Sequence, residues 1–223
     1  MRPQLSEEVA AVLRGRIMSG ELRPGARIRL EEVAEQLGVS ITPVREALLT
    51  LRGEDMVELE PRKGYVVAPL SKQDVVDLFQ LQGDIAGELA ARVAVTITGA
   101  QRAELTVANR ALLRAIRSRD TTEIERLEYA FHRLINRDAQ ARKLSWFLHT
   151  ATRYTPARFY AADPGWRESV KRDHEALLAA FAGQDAAAAR SVMTSHFTDG
   201  ADLLVKHLDD LGIWSSHAAT GRA

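Results

Sequence analysis

The chain has 223 residues, 46% hydrophobic and 27% charged, an ordinary globular composition with room for one large or two modest domains. It contains no cysteine, which excludes disulfides and thiolate metal ligands and leaves any metal site to histidine and carboxylate. Its 30 basic and 30 acidic residues cancel, and the first 70 residues hold ten basic against eleven acidic, so attraction to a polyanion must come from local clusters of arginine.

From Ser6 to Met18, the apolar residues Val9, Val12, Leu13 and Ile17 recur at helical spacing, with Ser6 as N-cap and Gly20 just past the end. Leu22–Gly25 reads as a turn, followed by a helix over Leu30–Leu37 with Val33, Ala34 and Leu37 inward. Gly38 has no Cβ and can take the left-handed conformation that ends this helix. Four residues on, Thr42 can N-cap a third helix with Pro43 at its first position. That helix turns Val44, Ala47, Leu48 and Leu51 inward and leaves Arg45, Thr50 and Arg52 outside. Two short helices around a tight glycine turn form a helix-turn-helix, whose second helix offers its first turn to a DNA major groove. The period then changes: Met56–Glu60 alternates, Pro61–Gly64 turns, and Tyr65–Val67 is rich in strand formers. A hairpin with a basic tip is a wing that would lie over the DNA backbone or minor groove. The residues expected at DNA are Arg27, Ser40, Thr42, Pro43, Arg45, Arg62, Lys63 and Gly64.

Pro69-Leu70-Ser71 marks a boundary, and Ser71 with Asp74 forms a capping box for the next helix. Helical stripes then fill residues 72–95, 100–118, 122–138, 142–159 and 166–182, and Asp185 caps a last helix to about Leu211. The expected fold is mainly α: a winged helix-turn-helix over 1–70, an antiparallel helical bundle over 71–214, and a disordered tail over 215–223. The first fifteen residues lack the apolar core of a signal peptide, and no apolar run reaches membrane-spanning length. A cytoplasmic location without a membrane partner is expected.

Glu128 and His132, four residues apart, share one helix face, and His174 and His196 fall in the last two helices. One carboxylate and three imidazoles on facing helices can form a metal site suited to Zn, Ni, Mn or Fe. His149, His207 and His217 are given no role.

Residues 9–67 resemble the winged helix-turn-helix of the GntR family of bacterial transcription regulators, in its FadR-type branch. The resemblance rests on Gly20-Glu21-Leu22-Arg23-Pro24-Gly25, Leu37-Gly38-Val39-Ser40, Thr42-Pro43-Val44-Arg45-Glu46-Ala47-Leu48 and Arg62-Lys63-Gly64. Ile41 and Glu31 stand where relatives usually or often carry arginine, so the operator sequence of relatives does not transfer. The remainder resembles the FCD effector domain, through Glu128-Tyr129-Ala130-Phe131-His132, His174-Glu175-Ala176-Leu177-Leu178-Ala179-Ala180-Phe181 and His196.

That resemblance implies that Glu128, His132, His174 and His196 hold a divalent transition metal, with a small organic acid effector entering its open positions. Glu128 stands where aspartate is commoner. Gln82 and Ala86 replace a frequent Arg and Glu, and Ala141 a common Asn. Gln82, Arg153 and Arg158 are therefore the candidates for effector contact. The expected protein is a homodimeric, ligand-responsive regulator, a repressor by preference, that reads an inverted repeat in double-stranded DNA and is not an enzyme. Two alternatives stand beside it: a metal-dependent enzyme acting on a small carboxylate, and a regulator whose metal site is empty or structural.

Overall fold

A computed structural model describes residues 5–214. In chain order its elements are α1 (Leu5–Met18), β1 (Arg27–Ile28), α2 (Leu30–Leu37), α3 (Ile41–Gly53), β2 (Val57–Glu60), β3 (Gly64–Val67), α4 (Lys72–Thr96), α5 (Gly99–Ser118), α6 (Thr121–Asp138), α7 (Arg142–Thr152), α8 (Ala157–Ala162), α9 (Pro164–Ala182) and α10 (Ala186–Asp210). They group into two compact units. Among the described residues, the winged unit comprises the chain up to Asp74, Arg153–Pro156 and the chain from Val205; the helical unit comprises Val75–Thr152 and Ala157–Leu204. The expected border at residue 70 thus lies four residues before the end of the first of these segments, and the sequence expected as one domain over 71–214 is shared between the units. Residues 215–223, expected to be disordered, lie outside the described residues. No described helix is long and apolar enough to cross a membrane.

In the winged unit, α2 ends at Gly38 with φ 64°, and the N–H of Val39 reaches back to the Ala34 carbonyl at 3.0 Å. Helix α3 begins at Ile41, two residues before the expected start. Its N-cap is Ser40, in extended conformation and without a side-chain cap bond, so Thr42 and Pro43 fall in the first turn. Pro43 costs little there because the first N–H groups of any helix lack an intrahelical partner. Ser6 likewise lies inside α1, which has already begun at Leu5. The inner face of α1 is Val9, Ala10, Leu13, Ile17 and Met18, whereas Val12 is 40% exposed and Leu37 of α2 only half-buried. Strand β1 was not foreseen, since two residues are too few for alternation. It pairs antiparallel with β3 (Ile28 opposite Tyr65), which also pairs with β2 (Leu59 opposite Tyr65), so the wing is a three-stranded sheet in the order β1-β3-β2.

Among the described residues, Arg14 is the one charged side chain fully enclosed in this core, at 1% exposure. Its Nε and Nη2 donate to the two oxygens of Glu54, the C-cap residue of α3, at 2.8 and 2.9 Å. Arg153 adds a second guanidinium, paired with Glu7 and, at 3.4 Å, with Glu54. Burial, followed by the negative charge of Glu54, raises the phenol of Tyr154 beside them.

In the helical unit the connections are capped by local chemistry. Ser71 N–H donates to Asp74 Oδ2 and Asp74 N–H to Ser71 Oγ at 2.7 and 3.1 Å, the expected capping box at the start of α4. Thr98 and Gln101 form another, and Asp120, Asp163 and Asp185 each accept a first-turn N–H of the helix that follows. The expected helix over 142–159 is broken into α7 and α8. Pro156 has no N–H and disfavours helical backbone at Thr155, so the chain leaves the helix at Thr152 and resumes at Ala157.

The core of this unit gathers Leu89, Leu105, Phe131, Ile135, Leu177 and Phe181. Helix α4 approaches α10 closely through two glycines. A Cβ on Gly87 would stand 2.4 Å from Thr194 Oγ1, and that hydroxyl donates to the Gly83 carbonyl at 3.1 Å. This contact seats the stretch of α10 that carries His196.

Removing one member of an enclosed ion pair strands the other. Glu54→Ala should destabilise the winged unit by about 3 kcal/mol in urea unfolding, and the double replacement Arg14→Met with Glu54→Leu should recover most of that loss.

Candidate functional site

The surface available to DNA is built on the first turn of α3 and the wing tip. Ser40, Thr42 and Arg45 are exposed at the start of α3, and Arg27, Arg62 and Lys63 are exposed on the strands and turn. Arg27, Arg45 and Arg62 have no ion-pair partner among the described residues, whereas Lys63 Nζ lies 2.6 Å from Glu60. The tip turns through left-handed backbone at Arg62 (φ 69°) and Gly64 (φ 80°), which lifts the two cations off the sheet. Pro43, expected at the DNA, is buried beneath Thr42 and packs inward with Val44. It falls on the inward stripe of α3 with Val44, Ala47, Leu48 and Leu51. Ile41 is 37% exposed and Glu31 is exposed, so an apolar and an acidic side chain face solvent at these two positions.

The second cluster lies in the helical unit. Helix α6 supplies Glu128 and His132 one turn apart, α9 supplies His174, and α10 supplies His196. Glu128 Oε1 stands 3.1 Å from His132 Nε2, 3.6 Å from His174 Nε2 and 3.3 Å from His196 Nε2. Side-chain exposures of 14%, 17%, 1% and 8% in chain order enclose the four groups. Two imidazoles are held from behind: His174 Nδ1 lies 3.2 Å from Asn109 Oδ1, and His196 Nδ1 lies 3.3 Å from Asp173 Oδ2. Those bonds hold the rings by Nδ1 and turn both Nε2 atoms toward Glu128. Phe131 stacks on the His174 ring with centroids 4.1 Å apart.

Burial would raise the Glu128 carboxyl, but the three imidazoles outweigh it and hold the group well below the usual carboxylate range. Burial lowers His132 against the pull of Glu128. Burial also acts to lower His196, but Asp173 and Glu128, one on each ring nitrogen, push it up to about 9. The cluster thus sets a carboxylate anion against an imidazolium, a charge arrangement that a divalent cation could replace. Two ligands about 2.1 Å from a common ion lie about 3.0–3.4 Å apart; Glu128 Oε1 lies 3.1 to 3.6 Å from the three imidazole nitrogens, and all four groups offer ligand atoms within 4.8 Å of one another. Glu128 Oε2 and His174 Nε2 are buried without a hydrogen-bond partner, as donors awaiting an ion would be. The residues fit a divalent transition metal of the imidazole-carboxylate class.

Asn109 and Asp173 were not singled out from the sequence. Asn109 had a legible signal, being a polar residue on the buried stripe Leu105, Asn109, Leu112 of α5. The three expected effector residues are not brought together. Gln82 is fully buried on α4 and donates through Nε2 to the Ala151 carbonyl at 3.0 Å. Arg158 is exposed on α8. Arg153 belongs to the winged unit and its guanidinium is committed to Glu7 and Glu54, because the break before Pro156 removes it from the helix it was expected to share with Arg158.

A winged helix-turn-helix followed by an all-α unit defines a two-part DNA-binding transcription regulator. Residues 5–67 match the family model described as bacterial regulatory proteins, gntR family, and residues 77–199 match the FCD domain, so the chain belongs to the gntR family in its FCD-bearing form. It is 26% identical over 207 residues to the uncharacterised HTH-type transcriptional regulator YdhC of Bacillus subtilis, covering 90% of each chain. It is also 26% identical over 195 residues to the transcriptional repressor GlaR of Escherichia coli, covering 82% of this chain and 88% of that one. In fold it resembles the solved structure of E. coli McbR/YncC, with a TM-score of 0.69 at 24% identity over 91% of this chain and 98% of that one. The family and these relatives are transcriptional regulators, not enzymes.

Phe131 is fully buried and supports the His174 ring, so Phe131→Ala should cost about 3–4 kcal/mol, measured as a lowered denaturation midpoint of the helical unit.

Proposed function

We propose that the chain is a homodimeric transcriptional repressor in the cytoplasm, controlled by a small organic acid bound at a metal in its helical unit. The observation that carries this reading is the convergence of Glu128 Oε1 with three imidazole nitrogens inside the FCD domain. The names of two E. coli relatives, the repressors GlaR and RspR, support repression. Two copies would place two α3 helices on the half-sites of an inverted repeat, with Thr42 and Arg45 toward bases and Arg27, Ser40, Arg62, Lys63 and Gly64 along phosphates.

Glu128, His132, His174 and His196 would hold the ion, and Asn109 and Asp173 would keep the imidazoles aimed at it. When bound, the metal supplies a Lewis-acidic anchor for the carboxylate of the effector. Of the three residues expected to receive the effector, Gln82 is the one retained. It lies beside Gly83, which packs against Phe197, and the Phe197 ring lies against those of His132 and His196. Effector binding alters DNA affinity because the acid favours one arrangement of the dimer over the other.

Two measurements test this reading. In fluorescence anisotropy on DNA flanking its own gene, the protein should prefer that sequence to random duplex, and Arg45→Ala should weaken specific binding tenfold or more while changing non-specific binding little. A protein without sequence preference would defeat the proposal. In native mass spectrometry, a dimer should carry one transition metal per chain, lost with a chelator and in His174→Ala, and Asp173→Asn should weaken it about ten- to a hundredfold. A metal-free dimer that still binds its operator would reduce the four residues to a structural role.

A further inference from the structure

We propose that the outer face of the hairpin formed by α5 and α6 is a second DNA-binding surface, one that takes duplex phosphates without reading sequence. The inference rests on the reading of the chain as a DNA-binding regulator, and its source is the distribution of charge. The chain is neutral as a whole, and its first 70 residues carry ten basic against eleven acidic side chains. The winged segment therefore offers DNA only a few local cations, Arg27, Arg45 and Arg62 among them, and binding between specific sites grows with the number of cations placed on phosphates.

The hairpin is different. Among its acids, Glu128 faces the histidines in the interior, and Asp138 is nearly buried and bonded by Arg137 Nε. Glu104 accepts the other two nitrogens of Arg137 at 3.1 and 2.7 Å, and Glu123 accepts Arg126 at 2.8 Å. Glu125 and Asp120, the latter capping α6, are the acids of the hairpin left without an arginine among the described residues. Against them, Arg110, Arg114, Arg117, Arg119 and Arg133 are all exposed and have no acidic partner among the described residues. The neutralised pairs sit at the start of α6 and at the open end of the hairpin, and the unpaired cations run from the middle of α5 (Arg110, Arg114) to its end and the turn (Arg117, Arg119), with Arg133 on α6.

Spacing gives this charge a shape. Arg110, Arg114 and Arg117 fall within about 60° of arc on α5 and extend along about 10 Å of its axis. On α6, Arg126, Arg133 and Arg137 share a similarly narrow stripe, with Tyr129 among them at 55% exposure over a shallow groove floored by Ala130 and Leu134. The Arg137–Glu104 pair ties the end of α6 to the start of α5, so the two stripes run on neighbouring helices. The unpaired guanidinium forks of Arg110, Arg114, Arg117, Arg119 and Arg133 suit an extended rod bearing one charge about every 1.7 Å, which is duplex DNA, and each can take a phosphate through two hydrogen bonds, whereas Arg126 and Arg137 are already bonded to acids. The Tyr129 hydroxyl adds a neutral donor of the kind that also contacts backbone phosphates.

The test is the salt dependence of binding to a random-sequence duplex, for the full-length protein and for Arg110→Gln/Arg114→Gln/Arg133→Gln. All three side chains are exposed, and circular dichroism together with retained preference for the operator would show that the variant is folded. The plot of log affinity against log salt should become shallower by about 2 to 3 in the variant, since each lost phosphate contact removes about 0.9 from the slope. An unchanged slope would overturn the proposal. So would an unchanged slope accompanied by a shift from dimer to monomer in sedimentation, which would make the face an interface between copies. If the wild-type protein shows no operator preference yet loses slope in the variant, the regulator reading fails while this surface stands.

Discussion

Enclosing a carboxylate and three imidazoles in a helical core costs several kcal/mol for each group left without a partner, and the helical unit is arranged to offset that cost. Three imidazole nitrogens surround Glu128 Oε1 at 3.1 to 3.6 Å, two of those imidazoles are held in turn by Asn109 and Asp173, and Phe131 closes one side of His174. Each supporting residue lies on a different turn or helix, so α5, α6, α9 and α10 must keep their mutual spacing for the cluster to exist. The close approach of α4 to α10 through Gly83 and Gly87 serves the same end, because a larger side chain there would push the His196 turn away from Glu128. Fold and site are one constraint in this unit.

The winged unit meets a different demand. It must offer Arg27, Arg45 and Arg62 to solvent without acidic partners while carrying as many acids as bases. It does so by spending several acids on other cations: Glu54 on Arg14 and Arg153, Glu7 on Arg153, Glu32 on Arg29, Glu21 on Arg16. The cations left unpaired include the three that the wing and α3 direct outward. Local pairing, rather than net charge, is what leaves exposed, unpaired cations on a neutral segment.

Much of this was legible because it is local. Gly38, the Ser71–Asp74 box and Asp185 mark helix ends through chemistry confined to four residues, and the structure ends its helices there. The wing's alternation and turn were likewise readable over ten residues. The four clustered residues were legible through their family pattern, and through helical spacing only for Glu128 and His132. What escaped the sequence was either very short or non-local. Two residues cannot announce β1. Apolar spacing runs on through Leu148, Ala151 and Tyr160, which concealed the break at Pro156. The destination of Arg153 depends on that break and on Glu7 and Glu54, both far away in the chain. Asp173 and Asn109 act through bonds that only the assembled helices create.

The winged unit is assembled from three stretches of chain: the opening segment, Arg153–Pro156 and the part of α10 from Val205 onward. The last stretch is tied in by Lys72 to Asp209 at 3.0 Å, by Arg23 to the Leu211 carbonyl at 2.9 Å, and by Gly20, which packs directly on Leu208 and Ile213. A head woven from separated stretches cannot be exchanged between regulators by a single crossover in the gene. Recombination just after the wing would bring in a foreign head that meets an unmatched Arg153 and an unmatched last helix. Heads and bodies of this design are therefore expected to diversify together, with changes in α1 followed by changes near residues 153 and 208, rather than to shuffle as free modules.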